Sequence, residues 1–89
     1  MRVVKGSVVK ALAGRDQDRF FVAVAVDDRF VYIADGKERK LEKPKRKNAR
    51  HISPTGEVID TTDLTDKKLR VILAAFLTRS AAKEYSDQG

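Results

Sequence analysis

Between Arg19 and Ala34 the chain runs through two stretches of β-branched and aromatic residues, broken only by Asp27-Asp28. In the first, Phe21, Ala23 and Ala25 alternate with Phe20, Val22, Val24 and Val26. That period of two is the signature of a strand. Asp27-Asp28 reads as a turn, after which Phe30, Tyr32 and Ala34 oppose Val31 and Ile33 in a second strand. Gly6 to Leu12 predicts a preceding strand, bounded by Gly6 and Gly14. Asp35-Gly36 suits a two-residue type I′ hairpin, because both positions tolerate positive φ. A further strand is then expected over Lys37 to Leu41. Short strands joined by tight turns predict a meander that curls into a small barrel.

Beyond Leu41 the pattern changes. Pro44 cannot donate to a sheet ladder, so Lys45 to Asn48 is expected as an exposed loop or strand edge. Arg50-His51-Ile52 is read as a return to the sheet. Ser53-Pro54-Thr55-Gly56 has the composition of a type I turn, and Val58-Ile59 suits one more short strand. The last third is helical. Thr65 is the expected N-cap, with Asp66 near the positive end of the dipole. Leu69, Ile72, Leu73, Phe76 and Leu77 share one face, with Lys67, Arg70 and Thr78 on the other. A helix from about Asp66 to Ala82 is expected to pack that stripe on the barrel. The organisation is one domain, with a barrel over residues 1–62, the helix within 63–84 and a frayed tail over 85–89.

Charge narrows the function. The chain carries 19 Lys and Arg against 13 Asp and Glu, a net +6. Eight of the basic residues fall between Lys37 and Arg50: Lys37, Arg39, Lys40, Lys43, Lys45, Arg46, Lys47 and Arg50. Only Glu38 and Glu42 oppose them, so this one segment holds the entire net charge. A local cationic footprint of this kind calls for a polyanion. Arginines can grip phosphate bidentately or stack on a base, whereas lysines act as point charges. Asn48 can donate to a base edge, and His51, the single histidine, can stack on or hydrogen-bond to a nucleotide. Tyr32 is the aromatic side chain expected to be partly exposed.

The same inventory argues against an enzyme. There is no Cys, one His and no P-loop, so nucleophile, metal-ligand and phosphate-cradle chemistry all lack their parts. No cofactor and no metal are expected. The absence of cysteine suits a reducing cytoplasm. No apolar run approaches the ~18 residues that span a bilayer, so no membrane association is expected.

The chain resembles the KOW-motif proteins. Val4 to Phe30 has the motif's outline, with Gly6, alternating apolar residues, and Gly14 at the bend before the Phe20–Val26 strand. Gly6-Ser7-Val8-Val9, Ala13-Gly14-Arg15-Asp16, Asp35-Gly36-Lys37, Arg39-Lys40-Leu41, Pro44-Lys45-Arg46-Lys47 and His51 follow in the family's order. The likeness is to the KOW-containing large-subunit ribosomal proteins of archaea and eukaryotes and their short bacterial relatives, over about residues 4–82. It implies a mainly β, SH3-like barrel with a C-terminal helix, and loops that contact ribosomal RNA. Gly14, Arg15 and Asp16 of the first loop, and Lys37 to His51, take the contact positions. The sequence departs from the family where many relatives have a glycine after Arg-Asp and this chain continues Gln17-Asp18-Arg19. Asp16 and Asp18 are expected to weaken phosphate contacts at that tip, which favours the basic segment. The expected RNA-binding set is therefore Arg15, Lys37, Arg39, Lys40, Lys43, Lys45, Arg46, Lys47, Asn48, Arg50 and His51, with Gly14, Asp35 and Gly36 shaping turns. The protein is expected to be a monomer whose partners are ribosomal RNA and neighbouring ribosomal proteins. The competing readings are a protein-docking KOW module of the transcription or translation machinery, and non-specific DNA binding.

Overall fold

The structure, a computed structural model, describes residues 2–88, with side chains described through residue 80. Five antiparallel strands form one sheet: β1 (Ser7–Ala11), β2 (Phe20–Val26), β3 (Phe30–Ala34), β4 (Lys45–Asn48) and β5 (Ile52–Val58). Their order is β4-β3-β2-β1-β5. A 3-10 turn (Ala49–His51) joins β4 to β5, and helix α1 (Asp66–Gln88) follows.

Strands β1 to β3 are apolar on both faces, so both faces of the sheet need a cover. One face curls on itself and buries Val9, Ala11, Phe21, Ala23, Val31, Ile33 and Ile52. The other places Val8, Val22 and Ala34 under Leu69, Leu73 and Phe76 of α1. The stripe expected of the helix is thus in use, although Leu77 at its margin remains 46% exposed. Phe20 extends the contact, its ring tilted at 54° to that of Phe76 with centroids 5.5 Å apart.

Chain connectivity forces the curl. A flat sheet would set β4 and β5 about 19 Å apart, four spacings of roughly 4.8 Å. The four residue steps from Asn48 to Ile52 reach at most about 14 Å. The two edges must therefore approach each other, and the short turn is bonded to both sides. Ala49 N donates to Arg29 O (2.8 Å), and Leu12 N donates to His51 O (2.8 Å). No ladder joins β4 to β5, so the barrel expected from the sequence is an open, curled sheet rather than a closed one.

Several local expectations are corrected. Lys37 to Leu41 is a loop and not a strand. Asp35 Oδ1 accepts from Lys37 N and Arg39 N, both at 2.9 Å, and so winds the chain around the carboxylate. A side-chain oxygen offering the backbone a local partner competes with a strand ladder. Asp35-Gly36 consequently opens a long connection to β4 instead of a two-residue hairpin. Pro44 ends that connection, and Lys45 to Asn48 pairs with β3 as the edge strand. Ser53 to Gly56 is not a turn but the middle of β5, where Pro54 lies opposite Val9. An edge strand tolerates proline because one side of its backbone has no ladder to feed. The register shifts between Ser7 and Val9, and Thr55 Oγ1 fills the irregularity by donating to Val8 O (2.8 Å). Arg50 and His51 belong to the 3-10 turn, and β5 ends at Val58.

The helix starts as expected, with Thr65 Oγ1 accepting from Lys68 N (3.1 Å). It continues past Ala82 to Gln88, through residues 85–88 expected as a frayed tail. Ala81-Ala82-Lys83-Glu84 are strong helix formers and no Gly or Pro intervenes before Gly89; Gly89 itself lies outside the described residues.

The turn at Asp27 carries a pH signature. Its Oδ1 accepts from Arg29 N (2.9 Å) and Phe30 N (2.8 Å), and these bonds hold its carboxyl below the usual range. A depressed native pKa gives a contribution that is complete above the unfolded value, about 3.9, and is lost as pH falls through the native one. The melting temperature of Asp27→Asn should therefore depend less on pH between 5 and 2 than that of the parent. Thermal melts across that range check it; parallel profiles would show that the turn contributes nothing.

Candidate nucleic-acid interface

The first loop, Ala13 to Arg19, and the basic segment are far apart in sequence, and one buried carboxylate brings them together. Asp16 is 3% exposed. Arg39 Nη2 donates to it at 3.3 Å, Lys47 Nζ lies at 3.7 Å and Arg19 Nη1 at 3.9 Å. Lys47 Nζ also donates to Ala13 O (3.2 Å). Gly14 holds φ +83, and a Cβ there would come within 3.0 Å of the Lys47 ammonium. Glycine at this bend thus serves both the left-handed backbone and the seating of Lys47 beneath the loop.

Arg19 ties the second half of the network. Its Nη2 donates to Asp35 Oδ2 (3.1 Å) and its Nη1 to Glu38 Oε2 (2.8 Å). The hydrogen bond to Glu38, with Asp35 and Asp16 nearby, holds the Arg19 guanidinium above its ordinary pKa. The loop from Asp35 to Leu41 is also fastened to α1. Arg70 Nη1 donates to Gly36 O (2.7 Å), and Leu41 N to Asp66 Oδ1 (2.8 Å). Gly36, at φ +79, runs so close to the Asp66 carbonyl that a Cβ would collide with it. The loop that bears three of the eight basic residues is therefore clamped at both ends.

These contacts sort the predicted residues. Arg39 and Lys47 both lean on Asp16, whose single negative charge offsets part of theirs and ties both side chains to the protein. Lys37, Lys40, Lys43, Lys45, Arg46 and Arg50 have no acidic partner within 4.0 Å among the described residues. Arg15 is exposed and similarly free, on a loop that Asp16 and Lys47 hold beside the basic segment. Asn48 Oδ1 accepts from Arg50 N (3.0 Å) and caps the 3-10 turn. His51 is exposed on that turn. Tyr32 is half-buried, as expected, and pairs in register with Arg46.

Sequence reasoning missed two participants. Asp16 is expected as a contact position of the first loop that weakens phosphate binding at its tip, yet it is the buried hub, and Arg19 is expected only as the start of a strand. The signal available was the Asp16–Arg19 spacing, which suits a local ion pair; the partners at Arg39 and Lys47 require the fold. Among the described residues no group of three or more His, Asp or Glu could hold a metal ion, and no helix is long and apolar enough to cross a membrane. Compared with protein-family models and with curated proteins, the chain gives no match.

Proposed function

We propose that this chain is an RNA-binding protein of the KOW type, with an SH3-like barrel left open at one seam, that associates with the ribosome in the cytoplasm. It acts by binding, not by catalysis. The SH3-like reading is supported by the curl and by the short turn joining the last two strands. The observation that carries the RNA reading is the set of six unpaired cations, Lys37, Lys40, Lys43, Lys45, Arg46 and Arg50, gathered on the clamped loop, the edge strand and the 3-10 turn.

Binding would proceed by neutralising phosphates and releasing their counterions. Because the cations sit on a framed surface, selectivity would come from the shape of a folded RNA more than from base identity. The internal ion pairs matter here, since they hold the loops in place before RNA arrives and reduce the ordering cost of binding.

With roughly five of the six cations engaged, the log–log salt slope should be near −3.5 on single-stranded RNA and near −4.5 on a duplex. Titrating a structured ribosomal RNA fragment, duplex DNA of equal length and a neutral polymer at several salt concentrations measures it. Equal affinity for RNA and DNA would remove the RNA-specific claim. Affinity that ignores salt would point instead to protein docking.

A further inference from the structure

Helix α1 covers only part of its face of the sheet. Val8, Val22 and Ala34 lie beneath it, but Phe30 and Tyr32, on the same side of β3 as Ala34, are half-exposed. Across the β3–β4 ladder, Phe30 faces Asn48 and Tyr32 faces Arg46. The Arg46 guanidinium carbon sits 4.6 Å from the centroid of the Phe30 ring. Guanidinium and ring together offer a delocalised surface held in place by the strand pair.

Immediately beside it is a cleft of about 340 Å³, lined by Asp28, Arg29, Asn48, Ala49 and Arg50. The two arginines come from opposite walls, the β2–β3 turn and the 3-10 turn. The Ala49 N to Arg29 O bond (2.8 Å) pins those walls together. Neither arginine has an acidic partner within 4.0 Å among the described residues. Asp27, the neighbouring acid, accepts from the Arg29 and Phe30 amides through Oδ1 and makes no ion pair within 4.0 Å among the described residues. Asp28 is the one acid lining the cleft, which leaves two positive charges against one negative. That balance suits a singly charged phosphodiester better than a doubly charged terminal phosphate.

We infer that this end of the sheet is a site for one unpaired nucleotide within an RNA chain, with its base stacked against Arg46 and Phe30 and its phosphodiester between Arg29 and Arg50. Asn48, next to both parts, is placed to meet the base edge through its amide. A paired base cannot enter, since its faces are already stacked. The site rests on the RNA-binding reading and adds to it a ligand class and the residue Arg29, which lies outside the basic segment.

The test uses two hairpin RNAs that differ at one position, where 2-aminopurine is bulged in one and paired in the other. The full chain should bind the bulged RNA about tenfold more tightly, the scale of one stacked base, and quench its fluorescence. Phe30→Leu and Arg46→Lys should each reduce the preference below about threefold and abolish quenching, and Phe30→Leu should do so without changing the salt slope on the paired RNA. Arg46→Lys keeps the charge and removes only the planar group, so it speaks even if Phe30→Leu folds poorly. Arg29→Gln with Arg50→Gln should flatten the slope on the bulged RNA by about 0.7–0.9, one phosphate contact. Equal affinity for the two RNAs with an undiminished slope would overturn the nucleotide site and leave electrostatic RNA binding standing. Absence of salt-dependent binding to either would overturn both.

Discussion

Replacing Lys40, Lys43 and Lys45 by glutamate should lower RNA affinity about a hundredfold or more at 0.1 M salt while leaving the fold intact. Each lost phosphate contact removes about 0.7 from the log–log slope, so three contacts amount to roughly two decades between 0.1 M and 1 M salt. Reversal of sign adds repulsion to that loss. The fold should survive because all three side chains are exposed and none is in an ion pair among the described residues. The same reversal at Lys5, Lys68 and Arg79, outside the segment, should cost less than about threefold, because a local footprint and not total charge governs contact. Filter binding with melting curves for each variant measures both quantities. Equal losses in the two triple variants would mean that only net charge matters.

Asp16→Ala should have the opposite balance, a large loss of stability with only a small loss of RNA affinity, since the loops it positions then have to be ordered on binding. Removing one member of a buried ion pair costs about 3–5 kcal/mol, because the partners keep their desolvation without their attraction. Arg19 and Arg39 are 39% and 30% exposed at the side chain, while Lys47 is 12% exposed. Water can therefore recover part of that cost for the arginines but little for the lysine, giving a net loss of about 2–3 kcal/mol. In a domain of this size that lowers the melting temperature by about 10–20 °C. Arg39 enters the comparison already short of one partner, since its Nε is buried without an acceptor. Adding Lys47→Met to Asp16→Ala should restore part of the stability, because the least exposed stranded charge goes with it. A double-mutant cycle by urea denaturation reads this coupling, and strictly additive losses would show that Asp16 and Lys47 do not act as a pair.

How much of this was legible in the sequence depends on the range of the forces involved. Strands β1 to β3 and helix α1 were readable because their side chains carry the period of the element that contains them. Lys37 to Leu41 failed because its alternation was outweighed by one carboxylate, Asp35, serving two backbone amides. Ser53 to Gly56 failed because Pro and Gly mark a turn only when the segment is not already an edge. Lys45 to Asn48 suits either a loop or an edge strand by its residues, and only pairing with β3 decides it. Whether the sheet closes is a matter of pairing between the first and last strands in the order, which no local pattern records. At the candidate site, the basic segment itself was evident, but its division was not. Arg39 and Lys47 look like their neighbours in sequence, and only a partner 23 or 31 residues away distinguishes them.

The position of the basic segment on the sheet has a further consequence. An unpaired edge is a template on which a second chain can lay its own backbone. One edge here is interrupted by Pro54 and an irregular register, whereas the other is β4, whose guard is Lys45 and Arg46, Lys47 being seated on Asp16. Side chains that face an RNA backbone would thus also keep copies of the protein from zipping together. Neutral replacements along this strand would remove both barriers at once and invite self-association, so glutamate, which still repels its own kind, is the substitution that isolates the loss of RNA contact.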